Sequence, residues 1–153
     1  MLHIASSLLE LDFNKLVGVY GYNYRQTEEF EDYLRQVFFR TEGARYCIWV
    51  QEGDYVSALR LEPYQDGLVL AGLETHLDCR GKGFATALVQ AALEWLGGMG
   101  GVKVYSHIRR RNRASIAVHQ RCGFQKIAEY ARFLDGSVSS GACTYVLEIK
   151  QVP

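Results

Sequence analysis

From residue 8 to residue 40, the apolar positions follow the spacing of helices. One stripe recurs at i, i+3, i+4, i+7 and i+8, which is the pattern of a buried helix face. Its members are Phe30, Tyr33, Leu34, Val37 and Phe38. Thr27 is predicted to cap this helix, because a hydroxyl can accept from the free N–H groups of a first turn. The tyrosine-rich segment 20–24 is predicted to be a loop that joins this helix to an earlier one.

The middle of the chain changes to strand-forming residues. Segments 45–51 and 55–64 are rich in β-branched and aromatic residues, and the Glu-Gly-Asp turn between them predicts a hairpin. An Asp-Gly pair, favoured in tight hairpins, precedes segment 68–75. Because segment 68–75 is almost wholly apolar, it is predicted to be a central strand.

The remaining residues alternate between the two patterns. Helices are predicted at 84–96 and 112–121, and strands at 102–108, 124–134 and 142–149. Helices followed by an antiparallel meander, strand–helix–strand–helix and a hairpin indicate an α/β or α+β fold with a mixed sheet.

Length and composition agree with one domain over residues 1–153, of which 48% are apolar. No apolar run reaches the roughly 18 residues of a membrane span, and residues 1–4 lack the basic start of a signal peptide. We therefore expect a cytoplasmic protein without a membrane partner. The cysteine spacing fits no zinc pattern, so no metal is expected. The cysteines are Cys47, Cys79, Cys122 and Cys143.

The net charge of zero conceals an uneven distribution. Residues 1–79 carry 13 acidic and 6 basic side chains, whereas residues 80–153 carry 4 acidic and 11 basic ones. The basic half favours an anionic ligand. Because most basic residues are scattered, a phosphorylated small molecule fits better than a long nucleic acid. The exception is a cluster that could hold a phosphate, bind nucleic acid or form a solvated loop: Arg109, Arg110, Arg111 and Arg113.

The segment from Arg80 to Ala85 lies between an apolar strand and an apolar helix. The first N–H groups of a helix have no partner within it, and together with the helix dipole they attract anions. Gly81 and Gly83 let the backbone approach a phosphate, and Arg80 and Lys82 add positive charge. A diphosphate is the expected ligand. The segment has neither the Walker spacing nor the full dinucleotide-binding fingerprint.

Two motifs of the sequence resemble those of one known protein family. Arg80-x-x-Gly83-x-Ala85 is similar to the Q/R-x-x-G-x-G/A signature of the GNAT N-acetyltransferases. The segment from Asn112 to Phe124 resembles their N-x-x-A/S-x-x-x-Y/H-x-x-x-G-F block. The resemblance implies a mixed, mostly antiparallel sheet of about six to seven strands with splayed central strands, flanked by about four helices. It also implies transfer of the acetyl group of acetyl-CoA to a primary amine by direct attack.

The resemblance assigns roles in holding CoA. The segment from Arg80 to Thr86 would bind the diphosphate through its backbone: Arg80, Gly81, Lys82, Gly83, Phe84, Ala85 and Thr86. Thr75 and Leu77, at the end of the preceding strand, would pair with the pantetheine amides. Asn112 would bond the cofactor arm or the strand ends, with Ser115 one turn later on the same helix face.

Two residues are the candidate catalysts. His119 occupies the place of a family tyrosine that protonates the departing thiolate, and imidazole titrates near neutral pH; alternatively it only packs. Glu74 is the best base for the attacking amine, although it could equally be a structural carboxylate facing an arginine. His76 and His107 are weaker candidates for the base, and each could instead be an ordinary packing or surface histidine.

The acceptor is left open by the sequence. The acidic first half favours a cationic amine, either a small molecule or a peptide. Tyr20, Tyr22 and Tyr24 could line an aromatic pocket for an ammonium group or fill the core. No nucleic-acid partner is expected, and family habit suggests a homodimer. The alternative function is a non-catalytic module that binds CoA or acyl-CoA and senses it.

Overall fold

The computed structural model describes residues 1–151, which contain a sheet of seven strands and a separate two-stranded ribbon. The strands are β1 (Leu2–Ala5), β2 (Arg45–Gln51), β3 (Asp54–Tyr64), β4 (Gly67–Thr75), β5 (Val102–Arg109), β6 (Gln125–Ala128), β7 (Ala131–Arg132), β8 (Val138–Ser139) and β9 (Ala142–Ile149). The sheet order is β1-β2-β3-β4-β5-β9-β6, and β7 and β8 form the ribbon. Only β4 and β5 pair in parallel within this sheet.

Within residues 1–151, four α-helices cover the two faces of the sheet. They are α1 (Phe13–Tyr20), α2 (Tyr24–Gln36), α3 (Phe84–Gly98) and α4 (Arg113–Arg121). One core lies between the sheet and α3, where Leu88 and Val89 pack against Leu59 and Leu70. The other core lies on the opposite face, where α1 and α2 pack their apolar stripes on β2 and β3. The predicted fold class is confirmed. No helix within residues 1–151 is both long and apolar enough to cross a membrane.

The parallel pair is short, and this shapes the centre of the molecule. Pairing between β4 and β5 ends at Leu70 and Ser106, although both strands continue. A bulge follows in β4, because the register with β3 shifts between Ala58 and Arg60. Gly72 lies in this bulge with φ of 61°, and a Cβ there would lie 2.7 Å from an Arg60 guanidinium nitrogen. Only glycine fits this backbone and this close approach.

Three predictions about secondary structure need correction. Strand β1 was not predicted, because its four residues are too few to show a clear alternation of apolar and polar side chains. The strand predicted over 124–134 is broken into β6 and β7. The cap of α2 is Asn23, not Thr27: Asn23 accepts from the N–H of Gln26, and the Gln26 side chain accepts from the Asn23 N–H. This reciprocal pair satisfies two N–H groups at once, which a hydroxyl inside the first turn cannot do.

Candidate functional site

The loop between β4 and α3 presents a row of free backbone N–H groups. Gly81 and Gly83 have φ of 76° and 84°, and Gly83 precedes α3 without any side-chain cap. The first helical bond runs from the Ala87 N–H to the Gly83 carbonyl, 3.0 Å away. Within the described chain, no protein acceptor takes the N–H groups of residues 81–86. Free N–H groups at the positive end of a helix are an arrangement that attracts anions.

A cleft of about 600 Å³ lies beside this loop, between the end of β4 and the start of α4. It contains most of the residues predicted to hold the cofactor: Thr75, Arg80, Gly81, Gly83, Phe84, Ala85, Thr86, Asn112 and Ser115. Leu77 and Lys82 do not line it. Leu77 was predicted to lie at the end of the strand. It instead begins a single 3-10 turn after β4 and is 71% exposed. Lys82 lines a neighbouring cavity next to α1.

Glu74 lies in the cleft but is already paired. Its Oε1 lies 3.0 Å from Nη2 of Arg80, and the Arg80 Nε donates to the Thr75 carbonyl at 3.1 Å. The two contacts tie the loop back to the strand. This is the structural alternative that the sequence left open for Glu74, and it coexists with the predicted role as a base.

The start of α4 forms the opposite wall of the cleft. The Asn112 side chain caps the helix by accepting from the Ser115 N–H at 3.1 Å. The Asn112 side-chain oxygen therefore bonds the helix backbone, and the amide N–H₂ group remains available to donate to a ligand in the cleft. Ser115 also lines the cleft.

His119 lies one turn further on and is turned away from the cleft. It is 1% exposed, does not line the cleft, and packs edge-on against Phe124 with ring centroids 4.9 Å apart. Its Nδ1 donates to the Ser115 carbonyl at 2.7 Å, and its Nε2 has no partner in the described chain. Burial lowers the pKa of His119 below its usual value. The side chain is therefore a neutral imidazole whose one N–H is already bonded to the backbone.

A third cavity, of about 380 Å³, opens on the other face of the sheet. Along β5, His107 points opposite to Val104 and Ile108, which pack under α3, because side chains alternate along a strand. The cavity is lined by Glu62, Tyr64, Val69, Leu70, Ala71, Gly72, His107, Phe133, Leu134 and Asp135. Apart from His107, a weaker candidate for the base, sequence reasoning missed these residues. They come from β3, β4, β5 and a loop, and no short motif links them.

The three tyrosines predicted either to line an aromatic pocket or to fill the core lie in different surroundings. Tyr20 and Tyr22 stack on one another and pack against Phe30 in the core, while Tyr24 is 80% exposed. None of the three lines the cavities described above. The prediction of core filling therefore fits Tyr20 and Tyr22.

One arginine of the cluster, Arg110, makes its hydrogen bonds within the protein. Arg110 donates to the Glu129 carboxylate at 2.6 Å and to the Ser140 carbonyl at 2.9 Å. Arg110 and Lys126 together lower the pKa of Glu129 to about 2. Arg109, Arg111 and Arg113 are exposed.

Comparisons with known proteins agree with this geometry. A chimera of a spermidine N-acetyltransferase from Vibrio cholerae and hSSAT has a TM-score of 0.71 at 16% identity, covering 96% of this chain and 95% of that one. The Campylobacter jejuni N-acetyltransferase PseH, in complex with acetyl coenzyme A, has a TM-score of 0.70 at 11% identity, covering 97% and 99%. The ribosomal-protein-S18-alanine N-acetyltransferase from Escherichia coli has a TM-score of 0.69 at 18% identity, covering 100% and 97%. At these identities the likeness describes the fold.

No curated protein sequence matches the chain. The family model "Acetyltransferase (GNAT) family" matches residues 7–124, which is most of the chain and includes both motifs. The chain therefore belongs to the GNAT family of acetyltransferases, as the two motifs predicted.

Proposed function

We propose that this chain transfers the acetyl group of acetyl-CoA to a primary amine by direct attack of the amine on the thioester. The single observation that carries the proposal is the row of unpaired N–H groups at residues 81–86, at the mouth of the cleft beside the parted strands β4 and β5. A diphosphate satisfies such donors better than water does, because each N–H is fixed and the helix dipole adds to the attraction.

The residues of the cleft fit a CoA molecule. The N–H groups of residues 81–86 would hold the diphosphate, and the open edge of β4 near Thr75 would pair with the pantetheine amides. Asn112 and Ser115 would bond the arm from the opposite wall. Acetyl-CoA supplies the activated acetyl group when it is bound. The backbone of β4 then orients the thioester, with a strand N–H such as that of Thr75 polarising its carbonyl.

The roles of Glu74 and His119 stay predictions within this proposal. Glu74 can take up a proton only if it gives up part of its pairing with Arg80. His119 can donate a proton only from the imidazolium form, which burial disfavours. His119→Ala tests the second role: a general acid predicts a turnover loss of about 100-fold with CoA affinity nearly unchanged. Unchanged turnover would remove His119 from the chemistry.

Calorimetric titration with acetyl-CoA, followed by thiol release with a panel of primary amines, tests the proposal. We expect micromolar binding of acetyl-CoA and amine-dependent release of CoA. Tight binding without turnover on any amine would instead support a sensor of CoA or acyl-CoA, for which the absence of an exposed proton donor at His119 is the favouring observation. Failure to bind CoA would refute both functions.

A further inference from the structure

The bulge of β4 lies where this strand has lost regular pairing on both sides. Pairing with β5 has ended at Leu70, and neither Gly72 nor Leu73 has a partner in the register with β3. The regular ladder therefore does not fix the direction of the peptide between them. Leu73 also lines the cleft, in which the proposed function places a thioester. What fixes this peptide then matters to the chemistry, and the following inference rests on the proposed function.

The carbonyl of Gly72 is held by a side chain of α1. The Tyr20 hydroxyl donates to this carbonyl at 2.7 Å. Tyr20 is the last residue of α1 and packs into the core between the sheet and the first two helices. The Gly72 carbonyl therefore points out of the sheet toward α1. The positive φ of Gly72, 61°, gives the backbone the freedom to turn in this way.

The N–H of the same peptide belongs to Leu73 and points the opposite way, because C=O and N–H are antiparallel in a planar trans peptide. It therefore turns toward the face of α3, where the cleft lies. A second observation agrees. His76 donates its N–H to the Val56 carbonyl of β3 at 2.8 Å. Since N–H groups alternate in direction along a strand, Thr75 and Leu73 direct theirs away from β3.

A second hydroxyl fixes the direction in which Tyr20 donates. The hydroxyls of Tyr20 and Tyr46 bond each other. A carbonyl can only accept, so Tyr20 uses its single hydrogen on Gly72, and Tyr46 donates to the Tyr20 oxygen. Burial raises the pKa of Tyr20 well above its usual value and raises the pKa of Tyr46 to about 12. Both hydroxyls therefore keep their hydrogens at neutral pH.

We propose that Tyr20 and Tyr46 are positioning residues for acetyl transfer: their hydroxyls fix the peptide between Gly72 and Leu73 so that the Leu73 N–H donates to the thioester carbonyl oxygen. The neutral amine attacks the carbonyl carbon, a C–N bond forms, and the π electrons of the carbonyl move onto its oxygen. The fixed N–H stabilises this charge. The C–S bond then breaks with its electron pair leaving on sulfur. The nitrogen loses one proton and the thiolate gains one, giving an amide and CoA.

The direction of this donor is what the two hydroxyls contribute. A donor that already points to the developing charge needs no reorganisation during the reaction. Without the Tyr20 hydroxyl, the Gly72 carbonyl loses its partner, and the peptide is free to turn in search of another. The N–H groups that would hold the diphosphate lie in the loop at residues 81–86, and Tyr20 does not line the cleft. Loss of the hydroxyl should therefore affect the chemical step more than acetyl-CoA binding.

The carbonyl stretch of bound acetyl-CoA, labelled isotopically at the acetyl carbonyl carbon, reports this hydrogen bond. In the unaltered protein, infrared difference spectroscopy should place the band at lower wavenumber than in free acetyl-CoA, because N–H donation weakens the C=O bond. Tyr20→Phe should lose most of this shift. Tyr22→Phe is the matched control and should keep it: Tyr22 stacks on Tyr20 with 5.1 Å between ring centroids, but its hydroxyl is not part of the chain to Gly72.

Turnover and binding give a second readout. With the most active primary amine of the panel, Tyr20→Phe should lower kcat about 10-fold, less than the roughly 100-fold or more lost when such a donor is removed outright. The Kd of acetyl-CoA, from calorimetry, should change less than about two-fold, as expected for an interaction made mainly in the transition state. Tyr22→Phe should leave both quantities unchanged.

A double variant separates positioning from stability. Tyr20→Phe alone leaves the buried Tyr46 hydroxyl without its acceptor, which lowers stability. Tyr20→Phe combined with Tyr46→Phe removes both hydroxyls, and removing two partners together costs less than leaving one of them buried and unpaired. The double variant should unfold cooperatively, bind acetyl-CoA and lose the same carbonyl shift.

Failure of this inference is distinguishable from failure of the proposed function. If acetyl-CoA does not bind the unaltered protein, the proposed function fails and the inference fails with it. If acetyl-CoA binds and amines are acetylated, but the carbonyl band is the same with and without the two hydroxyls, the function stands and the inference is overturned. A lower kcat with an unmoved band has the same meaning, because Tyr20 then supports only the fold.

Discussion

The cleft and the cavity lined by His107 lie on opposite faces of one sheet and are built in different ways. The cleft depends on backbone: free N–H groups at residues 81–86, two glycines with positive φ, and the open edge of β4. The cavity lined by His107 depends on side chains, with Glu62, His107 and Asp135 drawn from β3, β5 and a loop. A backbone site can hold one fixed ligand while side chains vary. A side-chain site can change its ligand while the fold is kept.

The same contrast appears in what supports each site. The β4 bulge between them is fixed from the face opposite the cleft, where the Tyr20 hydroxyl donates to the Gly72 carbonyl at 2.7 Å. Tyr20 also bonds the Tyr46 hydroxyl, and burial raises the pKa of Tyr46 to about 12. The buried Arg60 guanidinium lies against Gly72 and over the Tyr33 ring. These side chains hold a backbone shape that the cleft then uses.

The largest effect should come from blocking the backbone site. Gly83→Trp places an indole where the diphosphate would lie, since the space beside the Gly83 Cα is open. Acetyl-CoA binding should fall below detection in calorimetry. Gly53→Trp is the matched control, because Gly53 has the same positive φ and open space in the hairpin between β2 and β3. Each variant pays a similar strain of about 1–2 kcal/mol, so equal loss of binding in both would contradict the assignment.

This contrast explains what the sequence could predict. The cleft was found in advance because its donors come from consecutive residues, so the Arg80–Ala85 motif identifies it directly. The helices and central strands were predicted because each contains a long, regularly spaced set of apolar residues. The cavity lined by His107 was not predicted, because Glu62 and His107 are 45 positions apart in the chain and only the sheet order brings them together. His119 shows a related limit: helical spacing relates it to Ser115, but packing against Phe124 turns its ring inward.

A smaller effect concerns stability rather than binding. Burial lowers the pKa of His119 and of His107, so the unfolded chain binds more protons than the folded one below about pH 6.5. Their contribution is complete above that pH and is lost as pH falls toward the folded pKa values, at no more than about 1.4 kcal/mol per unit for each group. The carboxylates act lower: the pKa of Glu129 is about 2 when folded, so its contribution is lost from about pH 4.5 downward.

His119→Phe should therefore reduce the loss of unfolding free energy between pH 7.5 and pH 5.5. Phenylalanine keeps an aromatic ring against Phe124 but cannot bind a proton. Urea denaturation of the variant and of the unaltered protein at both pH values measures the difference. If the two proteins lose equal stability over that interval, His119 is not the buried neutral imidazole that the structure describes.

The smallest effect should come from a charged side chain next to the backbone site. Lys82 lies within the Arg80–Ala85 motif but lines the cavity beside α1 rather than the cleft. Its charge therefore acts on the diphosphate from a distance and through solvent, where salt screens it. Lys82→Ala should weaken acetyl-CoA binding only two- to three-fold at low salt, and the difference should disappear at about 0.5 M salt, as followed by calorimetry across a salt series. A loss of 30-fold or more that persists in high salt would mean that a direct side-chain contact holds the diphosphate. The distinction between a backbone site and a side-chain site would then fail at its clearest point.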